Sequence, residues 1–406
     1  MLDWIAITEW LEFAVRWLHV VTAIAWIGSS FYFIALDLGL HRDRNLASGA
    51  DGEEWQVHGG GFYHIQKYLV APANMPDGLV WFKWESYSTW LTGFALLAVV
   101  YYWGAEFYLV DPAVLELTTW QAIGISVASL AFGWIVYNTL CKLFVNANQT
   151  VLMLALFVVL VGMSYFYTSV FAGRAALLHL GAFTATIMSA NVFFIIIPNQ
   201  KIVVADLIAG RKPDPKFGKI AKQRSTHNNY LTLPVIFMML SNHYPLAFAT
   251  EYNWLIAALV FLMGVTIRHF FNSMHARKGT PYWTWALTAA LFIAVMALSL
   301  APMWKDAPEE LTAAEARFVE ADGFADTYDI VMGRCSMCHA AEPSWDGLRH
   351  APKGVVLETE AQIARHARDI YLQAGITHAM PPANLSWMEP EERAKLAAWY
   401  RAALAG

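Results

Sequence analysis

Three residues near the end of the chain carry the most specific chemistry. Cys335-Ser-Met-Cys338-His339 places two thiols and an imidazole close together. At this spacing two cysteines form thioether bonds to the vinyl groups of a haem, and the next histidine becomes the proximal iron ligand. A structural zinc site would need further thiolates or a second histidine pair, and a thioredoxin-like thiol pair would lie in a βαβ pattern. Neither is present nearby. The motif therefore predicts one covalently bound haem c.

The sixth ligand of this iron is predicted to come from the segment His378-Ala-Met380-Pro381-Pro382. Met380 is favoured because the two prolines hold this loop extended, while His378 and Met388 are the alternatives. A pair of methionine and histidine ligands raises the haem potential, which suits an electron acceptor or carrier.

Helical patterns surround the motif. We predict an opening helix at Phe324–Met332 and a closing helix at Glu389–Leu404, whose core face is formed by Leu396, Trp399 and Tyr400. From about residue 322 to the end, this arrangement resembles a class I cytochrome c.

Composition divides the chain in two. Of its 406 residues, 57% are hydrophobic and only 15% are charged, where a soluble domain has roughly a quarter charged. The polar residues concentrate in the tail, so we predict a membrane domain at 1–306 and a soluble domain at 307–406. The net charge of -5 does not suggest a nucleic-acid partner, and none is expected. Cys141 stands alone in an apolar segment, so no disulfide framework is expected. The first apolar run is long enough to be a retained helix rather than a signal peptide.

Eight segments have the ~20 mostly apolar residues that a helix needs to cross a bilayer. They are Trp10–Leu38, Ser88–Val110, Trp120–Leu143, Thr150–Phe171, Ala175–Pro198, Tyr230–Thr250, Tyr252–Phe271 and Pro281–Met303. The sixth is the weakest, because Pro234 and His243 interrupt it. The sequence thus predicts an all-α fold: an eight-helix transmembrane bundle followed by a small class I cytochrome c domain.

Basic residues indicate the orientation, because Lys and Arg collect in cytoplasmic loops. The loops after spans one, three, five and seven contain Arg42, Arg44, Lys67, Lys83, Lys142, Lys201, Arg211, Lys212, Lys216, Lys219, Lys222, Arg224, Arg277 and Lys278. The loops after spans two, four and six contain only Arg174. We therefore expect a multi-pass protein of the bacterial inner membrane with both termini in the periplasm, the compartment in which c-type haem is attached.

Two connections between spans are long. Gly39–Tyr87 is rich in Trp, Tyr and Gly, and amphipathic helices on the membrane surface would explain much of it. Asn199–Asn229 carries seven basic residues and two prolines, which is typical of a solvated cytoplasmic loop.

Histidines toward the periplasmic side of the predicted spans suggest a second redox centre. His19, His179 and His243 lie in spans one, five and six, and ionisable groups in a bilayer usually face a functional interior. Facing histidines with small residues nearby can hold a haem b within a helical bundle. Each histidine alone could instead bond to a backbone carbonyl, and which two bind iron stays open.

A second group of polar residues lies toward the cytoplasm and is suited to an anion. Arg224, His227, Asn228 and Asn229 precede span six. Arg268 and His269 of span seven could converge on them. Arginine forks onto planar anions, amides both donate and accept, and histidine exchanges protons near neutral pH. Helix capping with positive-inside charge is the structural alternative.

Several segments together resemble the bacterial membrane-bound urate hydroxylases, which carry a cytochrome c tail. These are Val57-His-Gly-Gly-Gly-Phe-Tyr63, His227-Asn-Asn-Tyr-Leu-Thr-Leu-Pro234, Ser241-Asn-His-Tyr-Pro245 and the Cys-x-x-Cys-His tail. The resemblance covers nearly the whole chain. It implies oxidation of urate to 5-hydroxyisourate in purine catabolism, with electrons passed to a respiratory-chain acceptor or a soluble cytochrome c. His58 joins Arg224, Asn228 and Asn229 as an expected substrate-binding residue.

This resemblance leads to a mechanistic hypothesis. Arg224 or Arg268 pairs with the urate anion, and His227 or His269 takes a proton as two electrons leave and water adds. Because the haem c is expected beyond a hydrocarbon core about 30 Å thick, an intermediate haem b is implied. Two competing interpretations are a quinol-oxidising or electron-transfer cytochrome without urate chemistry, and a transporter with a cytochrome sensor. The transporter should show symmetric pairs of broken helices, and only span six is clearly interrupted.

Overall fold

The computed structural model describes residues 4–43, 45–68, 76, 78–144, 148–301, 311–346, 348 and 351–405. The chain divides into two compact units. The first, here the membrane unit, comprises Met1–Val110 and Leu117–Pro302, and the second, the tail unit, comprises Asp111–Glu116 and Met303–Gly406. The domain boundary expected between 306 and 307 lies outside the described residues.

The membrane unit is mainly helical. Its helices are α1 (Trp4–Gly39), α2 (Trp84–Leu97), α3 (Ala105–Tyr108), α4 (Thr119–Leu143), α5 (Gln149–Thr168), α6 (Gly173–Ala190), α7 (Ile197–Ile208), α8 (Pro215–Ser241), α9 (Pro245–Phe248), α10 (Asn253–His275) and α11 (Trp283–Ser299). A π-helical turn at Ala98–Tyr102 follows α2, and a second at Asn191–Ile196 joins α6 to α7. Such turns often occur at functional sites.

Within the described ranges, five helical segments are long and apolar enough to cross a membrane: Ala6–Gly39, Thr119–Leu143, Gln149–Thr168, Gly173–Ile208 and Asn253–His275. They coincide with predicted spans one, three, four, five and seven, which is consistent with a membrane protein. Predicted spans two, six and eight correspond to α2 with its π turn, the second half of α8, and the shorter α11. The eight-helix bundle stays a prediction.

Helix α8 differs from the expectation for predicted span six. It begins at Pro215 and continues through Pro234 to Ser241, so the proline does not break it. Gly264 of α10 makes this packing possible, because a Cβ there would lie 2.5 Å from Cδ of Pro234. The expected solvated loop at 199–229 is therefore largely wrong: α7 extends to Ile208, and Arg224 through Asn229 lie inside α8.

The first long connection is a β-hairpin rather than amphipathic helices. Strands β1 (Ala50–His58) and β2 (Gly61–Tyr68) pair antiparallel, with Trp55 opposite His64. Gly59 and Gly60 form the turn with φ of 57° and 80°, the positive values that a tight hairpin turn requires. The expectation of surface helices at this place is wrong, and the expected all-α fold is confirmed only in part: the described fold is mostly helical with one hairpin.

The core of the membrane unit lies where α4, α5, α6, α8 and α10 meet. Leu152, Leu156 and Leu160 project from one face of α5 at helical spacing, and all three are buried. Gly133 of α4 admits the ring of Phe183 from α6, since a Cβ there would lie 2.5 Å from Cε2 of that ring. Close packing at this level holds α4, α6 and α8 near one another.

The tail unit is a small helical domain. Its helices are α12 (Ala313–Glu320), α13 (Phe324–Arg334), α14 (Ser336–His339), α15 (Glu360–Arg365), α16 (Ala367–Ile370) and α17 (Pro390–Ala405). The predicted opening and closing helices correspond to α13 and α17. Leu396, Trp399 and Tyr400 are buried as predicted, and the indole of Trp399 donates to the carbonyl of Phe318 at 2.8 Å.

Candidate functional site: two arginine networks and a histidine-lined cleft

The first site is built around Arg224 on α8. Its guanidinium donates to Oδ1 of Asn191 at 3.2 Å and to Oδ1 of Asn138 at 2.9 Å. The same group stacks over the ring of Tyr137, 4.8 Å from its centroid. Arg224 is only 3% exposed. These contacts come from α4 and from the π turn after α6, so two segments distant in sequence hold the buried charge on α8.

His227 and Asn228 belong to this same network. The hydroxyl of Tyr137 lies 2.8 Å from Nδ1 of His227. Asn191 donates through Nδ2 to Tyr137 at 3.1 Å and to Oδ1 of Asn228 at 2.9 Å. Asn228 in turn donates to the carbonyl of Met188 at 2.9 Å. We call this set, with Arg224 and Asn138, the Arg224 network.

A second network lies on another side of α8. Arg268 of α10 donates from Nε to Oδ1 of Asn229 at 3.2 Å and from Nη2 to Oδ1 of Asn272 at 3.0 Å. Asn272 donates to the same oxygen of Asn229 at 3.1 Å. The ring of Phe31 from α1 lies 4.1 Å from the guanidinium. We call this set the Arg268 network.

Neither arginine has a carboxylate partner among the described residues. Each is held by neutral amide oxygens, although removing an unpaired charge from water is costly. Each network also contains one buried donor without a hydrogen-bond partner among the described residues: Nε of Arg224 in the first and Nδ2 of Asn229 in the second. Uncompensated cations with spare donors are the surroundings in which an anion binds.

Two expected site residues are not brought to these networks. His269 follows Arg268 directly, so it points about 100° away around α10. It is exposed and lies beside Trp283, with 6.2 Å between the ring centroids. His58 ends β1 at the tip of the hairpin and is also exposed. Their proposed roles stay predictions without a contact to either network.

Five residues of the two networks were missed by the sequence reasoning. They are Phe31, Tyr137, Asn138, Asn191 and Asn272. An amide inside an apolar span was an available signal, because polar groups at membrane depth usually have a partner. Asn272 also lies one helical turn from Arg268, where side chains of one helix meet. The aromatic residues carried no such signal.

The opposite end of the membrane unit contains His19. Its Nδ1 lies 3.1 Å from the hydroxyl of Thr92 on α2. Gly93 lets the imidazole pack against α2, since a Cβ there would lie 2.8 Å from Cε1 of His19. His19 borders an apolar cleft of about 660 Å³, a volume that includes its open mouth. Other lining residues are Arg16, Trp26, Trp90, Leu130, Ala182, Thr186, Met239 and Asn242.

His179 and His243 differ from His19. His179 is fully buried, and both of its ring nitrogens are engaged: Nδ1 with the carbonyl of Ala175 and Nε2 with the hydroxyl of Ser126, each at 2.8 Å. Nε2 of His243 lies 3.2 Å from the guanidinium of Arg16. His179 and His243 are not among the residues that line the cleft. We call this region, from Arg16 to Asn242, the histidine end, and the region of the two arginine networks the arginine end.

Comparison with known families decides the identity of this unit. The family model described as urate oxidase N-terminal matches residues 5–299. The chain belongs to this family. No curated protein and no solved structure matches it.

Membership in the urate oxidase family supports a urate-related oxidoreductase function, and its apolar helices are consistent with a membrane protein. The matched residues include both arginine networks and the cleft. They end before the tail unit, so the urate oxidase match does not describe the Cys-x-x-Cys-His motif.

The motif of this urate oxidase-family chain lies at the junction of α13 and α14. Cys335 and Cys338 are free thiols, and Nδ1 of His339 lies 2.9 Å from the carbonyl of Val355. A carbonyl in this position orients a histidine and leaves Nε2 for a metal. No group of three or more His, Cys, Asp or Glu side chains suited to a metal ion occurs in the described ranges.

The candidate sixth ligands are placed differently from one another. Met388 is buried in the tail core at 3% exposure, whereas Met380 and His378 are exposed. The backbone of Met380 is held from both sides: its N–H donates to Gln373 at 2.8 Å, and its carbonyl accepts from Arg393 at 2.8 Å. Met380 is thus on a fixed, accessible loop.

Proposed function

We propose that this chain oxidises urate to 5-hydroxyisourate in the membrane and passes the electrons through its tail to the respiratory chain or a soluble cytochrome c. The overall change is urate plus water to 5-hydroxyisourate, two protons and two electrons. Because the electrons leave through the protein, oxygen is not needed as the acceptor and no hydrogen peroxide has to form.

The observation on which this proposal rests is a pair of buried arginines that have no carboxylate partner in the part of the chain that the structure describes. Urate is a planar anion, and Arg268 stacked on Phe31 offers both charge and a flat wall. The unpartnered amide of Asn229 adds a donor beside it. We assign urate to the Arg268 network, with Asn229 and Asn272 fixing the guanidinium, and Arg224 adding positive potential from the other side of α8.

His227 is the better of the two proposed proton acceptors. It lies in the Arg224 network with a fixed ring orientation, whereas His269 faces away from both networks. His227 lies on another side of α8 from the Arg268 network, so it would receive the protons that oxidation and water addition release without touching urate. We therefore keep His227 in the proposed mechanism and leave His269 out of it.

Haem c is the group we propose for the tail. Cys335 and Cys338 would form its thioethers, His339 would be the proximal ligand, and Met380 on its fixed loop would be the sixth ligand. When bound, this haem supplies one-electron transfer. The residues around the motif hold the His339 ring through the carbonyl of Val355.

Haem b is the group we propose for the cleft. His19 is the candidate ligand, because Thr92 lies beside Nδ1 and Gly93 lets the ring pack against α2, which would fix the imidazole with Nε2 left for iron. Met239 also lines the cleft and is a second possible iron ligand. His179 does not fit, because both of its nitrogens are already engaged.

A quinol-oxidising cytochrome is the second candidate, and the same cleft favours it. An apolar cleft bordered by His19, Arg16 and Asn242 could hold a quinol headgroup by hydrogen bonds. This alternative needs no anion site, so it leaves the two uncompensated arginines without a role.

Anaerobic reduction distinguishes the two candidates. The purified holoprotein is mixed with urate or with a short-chain quinol, and the α-band of the c haem is followed. We expect reduction by urate and not by quinol; the reverse result favours the cytochrome. A pyridine haemochrome spectrum on the same sample tests for b-type haem, and a spectrum with c-type haem alone removes the proposed centre in the cleft.

The proposed orientation places the protein in the inner membrane with both termini in the periplasm. A fluorescent protein that matures only in the cytosol, fused after residue 406, should therefore stay dark. The same protein inserted between α7 and α8, after Gly210, should fluoresce. Fluorescence from the terminal fusion would overturn the orientation.

A further inference from the structure

His275 ends α10, and its imidazole has no part in the mechanism proposed above. Nδ1 of this ring is shielded from solvent and has no hydrogen-bond partner among the described residues. His41 at the same end of the unit differs, because Nδ1 and Nε2 of its ring lie 3.0 and 2.6 Å from the guanidinium of Arg277. Buried polar atoms nearly always have a partner, so Nδ1 of His275 is a candidate ligand-binding atom.

His275 shares one face of α10 with the Arg268 network. Arg268, Asn272 and His275 follow one another at spacings of four and three residues, which places them within about 60° around the helix axis. The guanidinium extends toward the end of the helix, because its Nη2 donates to Asn272. Helical side chains lean toward the N-terminus, so we expect the ring of His275 to cover the turn that carries Asn272. The two side chains thus approach one turn of α10 from opposite directions.

Helix α1 packs along the same stretch of α10. The ring of Phe31 lies 4.1 Å from the guanidinium of Arg268, and a Cβ on Gly39 would lie 3.9 Å from the carbonyl oxygen of His275. On the side of α8, Oδ1 of Asn229 lies 3.2 Å from Nε of Arg268. Three helices therefore surround the region between Arg268 and His275.

The hydrogen bonds of the Arg268 network determine which polar atoms it offers to a ligand. A guanidinium only donates, so Asn229 turns its oxygen toward Arg268, and Asn272 donates to that same oxygen. The amide nitrogen of Asn229 then has no partner within the described ranges. What the network offers is therefore a cation and an amide donor. Urate has ring N–H groups as well as oxygens, and each N–H that is buried without an acceptor weakens binding.

Taking the urate oxidation proposed above as given, we propose that His275 determines specificity in the urate site by accepting a hydrogen bond at Nδ1 from one ring N–H of the purine. Arg268 and Asn229 donate to the oxygens and the anionic edge of the same molecule. A neutral imidazole holds one proton, which in this arrangement is on Nε2. The ligand class is a planar oxopurine anion with a free N–H. An analogue that lacks this N–H leaves Nδ1 buried without a partner, and such sites reject their analogues strongly.

Charged side chains near His275 favour an anion. Asp37 of α1, two residues before Gly39, forms ion pairs with Lys67 of β2 and with Lys222 of α8, the latter at 2.8 Å. Lys222 lies seven residues before Asn229, so it shares a face of α8 with Asn229 about 10 Å away along the axis. Two lysines around one aspartate leave a net positive charge at this edge, which attracts anions toward the Arg268 network.

The test combines variants of His275 with methylated ligands. Urate and each of its N-monomethylated derivatives are titrated into the reduced holoprotein, and affinities are measured by calorimetry, so that the result does not depend on electron transfer. His275→Phe removes the ring nitrogens and keeps a ring of similar size. His41→Phe is the matched control, because the ring nitrogens of His41 already have a partner in Arg277.

We expect His275→Phe to bind urate about tenfold more weakly, the loss of one hydrogen bond. We also expect methylation at one ring nitrogen to weaken binding to the wild type by about tenfold or more, and this penalty to vanish in His275→Phe. His41→Phe should keep the wild-type pattern. A wild type that is insensitive to methylation at every position, or a penalty that persists in His275→Phe, would overturn the inference.

Two conservative variants locate the contact and replace the test if His275→Phe does not fold. His275→Asn can place an amide oxygen near the position of Nδ1, whereas His275→Gln places its amide near that of Nε2. The asparagine should restore the methylation penalty and the glutamine should not; the reverse result would overturn the assignment of Nδ1. Wild-type protein that does not bind urate at all would refute the proposed function, whereas urate binding without any dependence on His275 would refute this inference alone.

Discussion

The two ends of the membrane unit treat buried polar groups differently. At the histidine end, Arg16 forms an ion pair with Glu12, and His179 has both nitrogens bonded. At the arginine end, Arg224 and Arg268 have neutral partners only within the described residues. Arg16, His179 and Arg268 lie in helices long and apolar enough to cross a membrane, where an ionisable group is costly, and Arg224 is buried in α8. Arg16 thus has a counter-ion and the other two arginines do not among the described residues, which supports the proposal that the arginine end binds an anion.

Two histidines of the histidine end, His19 and His179, also differ in how many of their ring nitrogens have a hydrogen-bond partner. His19 has one nitrogen held and a cleft beside it, whereas His179 has no free nitrogen. A buried nitrogen that already has a hydrogen-bond partner needs no ligand, whereas a nitrogen without a partner beside a cavity can bind one. The predictions below use this contrast, and they run from the largest expected effect to the smallest.

His19→Ala should abolish the b-type haem spectrum completely, because the proposed iron ligand is lost. His179→Asn should keep the spectrum and lower only thermal stability, since it removes a buried hydrogen bond to Ser126. Pyridine haemochrome spectra and thermal unfolding of both variants provide the measurement. A b-type spectrum that survives in His19→Ala and disappears in His179→Asn would reverse the assignment.

Arg268→Gln should weaken urate binding about 100-fold, because charged hydrogen bonds contribute roughly 1.5–3 kcal/mol each. Arg277→Gln is the control: it lies on the same side of the unit but donates to the carbonyl of Gly39 at 2.8 Å and is exposed. Calorimetric titration with urate gives both affinities. Equal losses in the two variants would show that long-range charge, and not the Arg268 network, attracts urate.

Asn272→Ala should raise KM for urate by about tenfold or less, because one neutral hydrogen bond that orients Arg268 is removed. The matched control is Asn253→Ala on the same helix, which loses a bond to the carbonyl of Phe248 at 3.1 Å. Steady-state kinetics with a haem c acceptor measure the effect. An unchanged KM in Asn272→Ala would remove this residue from the site.

Glu315→Gln should have the smallest effect, about 1 kcal/mol of tail stability, since it weakens one helix cap. Glu315 caps α12 through Thr312 and forms an ion pair with Arg365 at 2.9 Å. Arg365 therefore has a counter-ion, unlike Arg224 and Arg268 within the described residues. Partial burial alone would raise the pKa of this carboxyl, but its hydrogen bonds with Thr312 and Arg365 outweigh burial and hold the pKa below its ordinary value.

The sign of the pH effect follows from that lowered pKa. The unfolded chain binds the proton more tightly, so the contribution of Glu315 is present above about pH 4.3 and is lost as the pH falls further. Urea unfolding at pH 7 and pH 3 should therefore separate the variant from the wild type only at pH 7. A difference of equal size at both values would contradict this account. Urate turnover is expected to stay unchanged.

Helices could be predicted from the sequence where the signal lay in neighbouring residues of one segment. Helical periodicity predicted α13 and α17, and the buried Trp399 followed from its place on the apolar face of α17. The length of the apolar runs likewise predicted helices α4, α5 and α10, with ends within a few residues of those observed. The hairpin was missed because Trp55 and Phe62 also suit an amphipathic helix, and the turn signal at Gly59-Gly60 was not used.

The partners within the site could not be predicted in the same way. Arg224 and Asn229 were recognised as ligand candidates, but whether they share one pocket depends on rotation around α8, and Pro234 obscured where that helix begins. Tyr137 and Asn191 reach Arg224 from spans far away in sequence. Such contacts arise from packing between helices, which a single sequence does not encode locally.

An anaerobic titration of the oxidised holoprotein with urate tests the central claim most directly. If the anion held at the arginine end is the electron donor, each urate consumed should reduce two haem equivalents, and Arg268→Gln should need far higher urate to do so. Consumption of urate without haem reduction, or with hydrogen peroxide formed when oxygen is admitted, would contradict the account.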